Sequence, residues 1–210
     1  MSIRKQVFAP GEFYHLYNRG TEKRIIFKDL ADYKHFLYLM YVCNTIRSIE
    51  LRKIGENFDR EETIVNIGAY CLMPNHFHFL AHEKVEGGIS KYMLKLMTSY
   101  TMYFNKKYQR TGKLYEGVFK SVHASTDKYL KYLYSYIHLN PAKLIDKNWK
   151  EKRGSTATKL LEYISKYPYS SFTEYKDMKF IIVEHSKFPV YFKNPSEHAD
   201  ELFEWLSLNE

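Results

Sequence analysis

The sequence has few cysteines and no long apolar segment. Its 210 residues include only two cysteines, Cys43 and Cys71, and both lie inside apolar stretches. We therefore expect reduced core thiols and a cytoplasmic protein rather than a disulfide scaffold. The longest apolar run, residues 36–43, is too short to cross a bilayer. No apolar stretch follows the charged N-terminus, which argues against a secretory signal and a membrane partner.

The chain also lacks internal repeats and low-complexity tracts. Its length fits one domain with an appendage. The composition becomes polar where DKNWKEKRGSTATK begins at residue 146. We therefore expect a main domain over residues 1–145 and a C-terminal extension over residues 146–210 that packs on or beside the core.

Basic and tyrosine residues are abundant. Lysine and arginine number 32 against 24 acidic residues, which gives a net charge of +8, and the chain has 20 tyrosines. An excess of positive charge is typical of proteins that bind polyanions. Aromatic rings interleaved with cations suit single-stranded nucleic acid, because the rings stack on bases and the cations pair with phosphates.

The hydrophobic periodicity alternates between strand and helix patterns. Strand patterns end before the turn at residue 19, cover residues 63–73 and 76–83, and recur in VFKSVHA. Helical patterns begin near Asp29, near a Ser90 N-cap and after Thr126. This order predicts an α+β fold, with a mostly antiparallel sheet and helices packed on one face. The amphipathic pattern of ELFEWL near the C-terminus predicts a short helix that docks on this body.

Two histidines occupy alternate positions of one predicted strand. His76 and His78 face the same side of that strand, roughly 6–7 Å apart at the backbone, while Phe77 and Phe79 face the core. Two such imidazoles can converge on one divalent cation. His82 shares their face but lies too far along the strand to join them. The plain alternative is a pair of histidines on a solvated surface.

A second polar pair lies at the end of a predicted helix. Tyr136 and Asn140 are four residues apart and share one face of the helix, opposite a predicted buried stripe at Leu130, Leu133 and Ile137. An amide oxygen is a suitable hard ligand beside imidazoles. A phenol held beside a cation and a phosphate gains nucleophilicity, because the metal favours the phenolate. The combination predicts strand transfer through phosphotyrosine rather than hydrolysis.

Five segments in order over about residues 12–175 resemble the single-tyrosine HUH transposases, most of all the REP-associated branch. They are YHLYNRG, YCLMPNHFHFL, GKLYEGVFKS, YIHLNPAKL and YPYSSF. The resemblance implies a ferredoxin-like, RRM-related sheet that carries the histidines. It also implies metal-dependent cleavage and rejoining of single-stranded DNA near hairpins or repeats, through a 5′-phosphotyrosine intermediate and a free 3′-OH.

The resemblance assigns roles to particular positions. Tyr136 matches the nucleophile, and His76 and His78 match the metal ligands for Mg²⁺ or Mn²⁺. Asn140 stands as the third ligand, where the insertion-sequence branch has glutamine. The sequence leaves open whether the protein acts as a monomer or a homodimer.

Several basic residues are candidates for contacts with DNA. Arg19 belongs to the opening motif, and a basic cluster follows the aromatic helix. Val118 replaces an arginine that relatives often carry, and Lys120 is a candidate substitute for it. The predicted DNA-binding set is Arg19, Lys106, Lys107, Arg110, Lys113 and Lys120.

Three alternatives stay open at this point. Tyr129 and Tyr132 compete for the nucleophile role, although neither has an asparagine four residues later. A domesticated relative would bind structured single-stranded DNA or RNA without cutting it. A small zinc hydrolase would need a third ligand and a carboxylate base, and the nearby Glu83 lies on the opposite strand face from the histidines.

Overall fold

The computed structural model describes residues 7–55, 58–151, 154 and 156–207. Its strands are β1 (Phe13–Arg19), β2 (Val65–Met73), β3 (His76–Glu83) and β4 (Lys120–His123). They form one sheet in the order β2-β3-β1-β4, and every neighbouring pair is antiparallel. The helices are α1 (Leu30–Val42), α2 (Gly88–Lys107), α3 (Asp127–His138), α4 (Ala142–Ile145), α5 (Ala157–Lys166), α6 (Phe172–Asp177) and α7 (Pro195–Ser207). The antiparallel α+β fold is confirmed, and its order is that of a ferredoxin-like sheet.

Strands β2 and β3 form a tight hairpin around Pro74 and Asn75. Proline cannot donate a ladder hydrogen bond, which ends β2 at this point. Beyond the turn, the alternation of β3 sends Phe77 and Phe79 into the core, where both are fully buried. The intervening side chains of His76 and His78 consequently project from the other face of the sheet.

Helices α1 and α2 pack on the phenylalanine face. The Asp29 carboxylate caps α1 by accepting a hydrogen bond from the Asp32 backbone N–H, as the sequence predicts. Helix α2 begins at Gly88 rather than after Ser90. A Cβ at Gly88 would lie 2.3 Å from the Ile64 carbonyl oxygen, so the close approach requires glycine there. The buried Glu83 carboxylate accepts from the Ile89 N–H and caps the helix instead.

Helix α3 packs on the histidine face, so the expectation of helices on one face describes only α1 and α2. The predicted apolar stripe of α3 is buried against the inner residues of β2 and β3, among them Cys71 and Leu80. Every residue of β2 is buried, because helices cover both faces of the sheet at this strand. Such a strand typically has a nearly continuous apolar sequence instead of an alternating one. The histidines therefore lie under a helix rather than on an open surface, and His78 is only 7% exposed.

The C-terminal extension contains two helices that the sequence reading treats as polar or irregular, α5 and α6. Ala157, Leu160 and Ile164 of α5 form a buried stripe in a segment otherwise rich in lysine and threonine. Helix α7 is longer than the predicted ELFEWL helix and packs on α5. No described helix combines the length and the apolar character needed to span a membrane. The division near residue 145 stays a prediction.

Candidate active site

A cleft of about 350 Å³ opens between the histidine face of the sheet and α3. Strands β1 and β3 form its floor, and α3 with the segment after it forms one wall. The lining residues are Tyr17, Asn18, Arg19, Asn75, His76, Phe77, His78, Glu116, Lys120, Tyr136 and Lys143. Tyr136, His76 and His78 therefore meet in one cleft.

The imidazoles of His76 and His78 adjoin each other, with ring centroids 5.1 Å apart. The Nδ1 atom of His76 donates to Asn75 Oδ1 across 2.6 Å. The Nδ1 atom of His78 lies 2.9 Å from Nε2 of His15, a buried residue of β1. When both Nδ1 atoms carry the proton, each Nε2 atom keeps a free lone pair. Hydrogen bonds of this kind orient histidines that bind metals.

Both histidines are neutral at physiological pH. Burial lowers the pKa of His76 to about 4, and the nearby positive charges of Lys143 and Arg19 lower it further. Burial also lowers the pKa of His78 well below its usual value, with added repulsion from His15 and His76. Neutral imidazole is the form that binds a metal ion.

Tyr136 faces the two buried histidines from α3. Its ring centroid lies 5.4 Å from that of His78 and 5.5 Å from that of His15, with edge-to-face geometry in both pairs. Burial raises the pKa of the Tyr136 phenol, and nearby Tyr132 raises it further. The group is therefore a phenol at neutral pH, and attack by its oxygen requires stabilisation of the phenolate.

Asn140 is buried at the end of α3, beside the cleft rather than in its lining. Its amide nitrogen donates to the Tyr136 carbonyl oxygen across 2.9 Å, which ends the helix. Its Oδ1 accepts from Lys143 Nζ at 3.2 Å, and the amide also lies within hydrogen-bonding reach of His76. Because His76 donates through Nδ1, its Nε2 lone pair and the Asn140 oxygen are both acceptors.

This donor set fits a divalent cation. Two neutral imidazoles and an amide oxygen are acceptors of the kinds that divalent cations take as ligands. Among the residues that the structure describes, no three His, Cys, Asp or Glu side chains cluster as a metal site. A third ligand would therefore have to be of another type, and the amide oxygen of Asn140 is the candidate.

Three cations lie around the cleft. Arg19 donates to the Glu116 carboxylate through Nε at 2.8 Å and Nη2 at 3.2 Å. Lys120 lines the same cleft, and Lys143 Nζ lies 5.8 Å from the centroid of the Tyr136 ring. The sequence motifs include both Lys143 and His15, but the sequence alone assigned neither a role at the site. The usable signals were the place of Lys143 one turn after Asn140 and the alternation that puts His15 on the histidine face.

The other predicted DNA contacts do not reach the cleft. Lys106 and Lys107 end α2, which packs on the opposite sheet face, and Arg110 follows directly. Lys107 binds Asp29 and Asp32 at 2.8 and 2.7 Å, so its charge is neutralised within the fold. The remaining predicted residue, Lys113, lines an apolar groove beside α2. Closeness in sequence grouped these basic residues, but it does not show on which face of the sheet each of them lies.

A buried pair of histidines ties α3 to the C-terminal extension. His138 contacts Ser171 Oγ at 2.8 Å through Nε2 and His198 Nε2 at 3.1 Å through Nδ1. Burial lowers the pKa of both, that of His198 to about 3. An unfolded histidine titrates near 6.5, so folding excludes a proton that the unfolded chain binds below that pH.

We expect acidification to destabilise the protein through His198. The stabilisation is complete above about pH 6.5 and falls as the pH approaches 3, because the pKa in the folded state is depressed. Between pH 7.5 and 5 the loss due to this one residue is about 2 kcal/mol. Urea unfolding at the two pH values measures it. His198→Phe, which keeps a ring against Phe192, should reduce the pH dependence; an unchanged dependence would contradict the assignment.

Comparison with solved structures shows a shared fold. A structure of a REP-associated tyrosine transposase bound to a REP hairpin matches with a TM-score of 0.53. The match covers 92% of each chain at 13% sequence identity. At that identity the likeness concerns the fold alone. No curated protein matches the sequence.

The sequence itself defines the class. Residues 30–140, more than half of the chain, match the family model for IS200-like transposases. This protein therefore belongs to the IS200-like transposase family, a family of DNA-binding and DNA-cleaving proteins, and the resemblance seen in the motifs is confirmed.

Proposed function

We propose that the protein cuts and rejoins single-stranded DNA near hairpins or repeats, with Tyr136 as the nucleophile. The proposal rests on one observation above all: the Tyr136 ring lies 5.4 Å from that of His78, in a cleft that also holds His76. The chemistry is assigned to the main domain, residues 1–145. The extension, residues 146–210, supports α3 through the contacts of His138.

In the forward step the Tyr136 hydroxyl oxygen attacks the scissile phosphorus. A new P–O bond forms to the tyrosine, the bond from phosphorus to the 3′ oxygen breaks, and the proton lost by the phenol is balanced by one gained at the leaving 3′-OH. The reverse step, with a different 3′-OH as nucleophile, rejoins the strand. The phosphotyrosine link keeps the energy of the ester, so no external energy source is needed.

His76, His78 and Asn140 would hold Mg²⁺ or Mn²⁺ in this mechanism. Such an ion, when bound, polarises the phosphoryl oxygens and favours the phenolate. When His15 accepts through Nε2, the proton of His78 stays on Nδ1 and its Nε2 is left for binding. The positive charges of Lys120 and Lys143 lie where they can neutralise phosphates of the bound strand.

The substrate class follows from the family and from the solved relative. Members of the IS200-like family are transposases, and the structural relative is bound to a REP hairpin. A DNA hairpin with unpaired flanks is therefore the substrate to test first. A cleft of about 350 Å³ with cations at its rim accommodates a strand at one phosphate rather than a whole duplex.

The decisive experiment labels the two ends of one hairpin oligonucleotide separately. With Mn²⁺ present, 3′-labelled DNA is expected to migrate with the protein on a denaturing gel, since the tyrosine retains the 5′ phosphate. The 5′-labelled DNA is expected to yield a free, shorter fragment. Tight binding without either product, across several hairpins and both metals, would favour the second candidate, a binding module for structured single-stranded DNA or RNA.

A further inference from the structure

The side of α3 that carries Tyr136 also carries a row of aromatic rings that leads away from it. Tyr129 and Tyr132 precede Tyr136 on the same side of the helix, with centroid separations of 6.0 and 5.8 Å along the row. Trp205 of α7 joins the row, and its ring lies 5.5 Å from that of Tyr132. We call Tyr129, Tyr132 and Trp205 the α3 aromatic ladder.

The tyrosines of the ladder differ from those that build the core. Tyr100 and Tyr167 are buried, and their hydroxyls donate hydrogen bonds to backbone carbonyl oxygens. Tyr129 and Tyr132 are partly exposed. Within the described residues, neither of their hydroxyls has a hydrogen bond, in contrast to those of Tyr100 and Tyr167. Part of each ring of Tyr129 and Tyr132 is therefore accessible to a bound strand.

Positive charge accompanies the ladder. Lys143 and Lys150 line the same small pocket as Trp205, next to the candidate nucleophile. The Glu201 carboxylate of α7 accepts a hydrogen bond from the Trp205 indole N–H at 3.2 Å and is also paired with Lys131 at 2.9 Å. A carboxylate that is already neutralised repels phosphate less than a free one. Rings flanked by lysines are the combination that single-stranded nucleic acids require.

We propose that the α3 aromatic ladder binds the unpaired nucleotides next to the scissile phosphate by stacking on their bases. This inference rests on the proposed function, because it extends the path of the strand from Tyr136 along α3. The row begins at the nucleophile, so a strand whose phosphate lies at Tyr136 passes directly over Tyr132 and Trp205. Stacking tolerates any base, so the ladder adds affinity for unpaired DNA without sequence preference.

The test compares two labelled oligonucleotides of equal length without divalent metal. One is oligothymidylate of about twelve nucleotides, and the other is its abasic analogue, which keeps the phosphates and lacks the bases. Fluorescence anisotropy should show that the wild type prefers oligothymidylate. Tyr132→Leu should weaken its binding about tenfold while binding of the abasic strand stays the same. Tyr132→Phe, which keeps the ring, should bind both as the wild type does.

Two further variants keep the test falsifiable. Trp205→Leu should reproduce the base-dependent loss from another helix, whereas Tyr38→Leu, at a tyrosine 41% exposed on α1, should have no effect. Equal affinity of the wild type for both strands would overturn the proposal. Unchanged affinity for oligothymidylate in both Tyr132→Leu and Trp205→Leu would also overturn it. An equal loss of affinity for the two strands would do the same. Because no cleavage is involved, failure here leaves the covalent-adduct test unaffected, and the reverse also holds.

Discussion

Tyr136→Phe is expected to abolish the covalent protein–DNA adduct, with at least about a thousandfold fall in its rate of formation. The substitution removes only the phenolic oxygen, which is the atom proposed to bond to phosphorus. The phenyl ring keeps its edge-to-face contacts with His15 and His78. Binding of hairpin DNA should therefore persist, and a denaturing gel with 3′-labelled DNA measures the loss of chemistry alone.

Other tyrosines provide the controls for this variant. Tyr38→Phe, on the helix layer beyond the opposite sheet face, should form the adduct at the wild-type rate. Tyr129 and Tyr132 are the competing nucleophiles on α3. An adduct that persists in Tyr136→Phe and disappears in a phenylalanine variant of one of these two would transfer the role to that residue.

His76→Ala is expected to weaken Mn²⁺ binding by about a hundredfold or more and to raise the metal concentration needed for cleavage. The variant removes one of two imidazoles, and no group of three His, Cys, Asp or Glu side chains forms a metal site among the described residues. His76 is partly exposed, so its truncation costs less packing than that of the buried His78. Isothermal titration with Mn²⁺ measures the affinity directly.

Two neighbouring variants calibrate that result. His82→Ala removes a histidine from the same face of β3, where its ring contacts Asn66 at 2.9 Å, and should leave Mn²⁺ affinity unchanged. Asn75→Ala removes the hydrogen-bond partner of His76 Nδ1 and should lower the Mn²⁺ affinity roughly tenfold. This is the lower end of the effect expected for residues that hydrogen bond to metal ligands. Wild-type Mn²⁺ affinity in His76→Ala would refute the metal site.

The strands and their faces were predictable because short-range alternation controls them. Phe77 and Phe79 alternate with His76 and His78, and burial of the rings fixes where the imidazoles point. The proximity of Tyr136 to the histidines was predicted from two sequence motifs that resemble those of one family, and not from hydrophobic periodicity. No local pattern reports that α3 crosses β2 and β3, since this contact joins segments about sixty residues apart.

What the sequence did not reveal depends on tertiary contacts. Helices α5 and α6 lie in polar stretches, and their few apolar residues become informative only against α7. The basic cluster after α2 was predicted to track DNA, yet Lys107 is engaged by two aspartates from the start of α1. A basic residue indicates an external anionic partner only when no acidic residue of the same fold already pairs with it.

The proposed site groups have a consequence that dilution can test. The phenol, the amide and both imidazoles come together within one polypeptide. The proposed site therefore needs no residue from a second molecule, and the yield of covalent adduct per molecule of protein is expected to stay constant on dilution. A yield that falls on dilution would show that the active form shares its site between subunits.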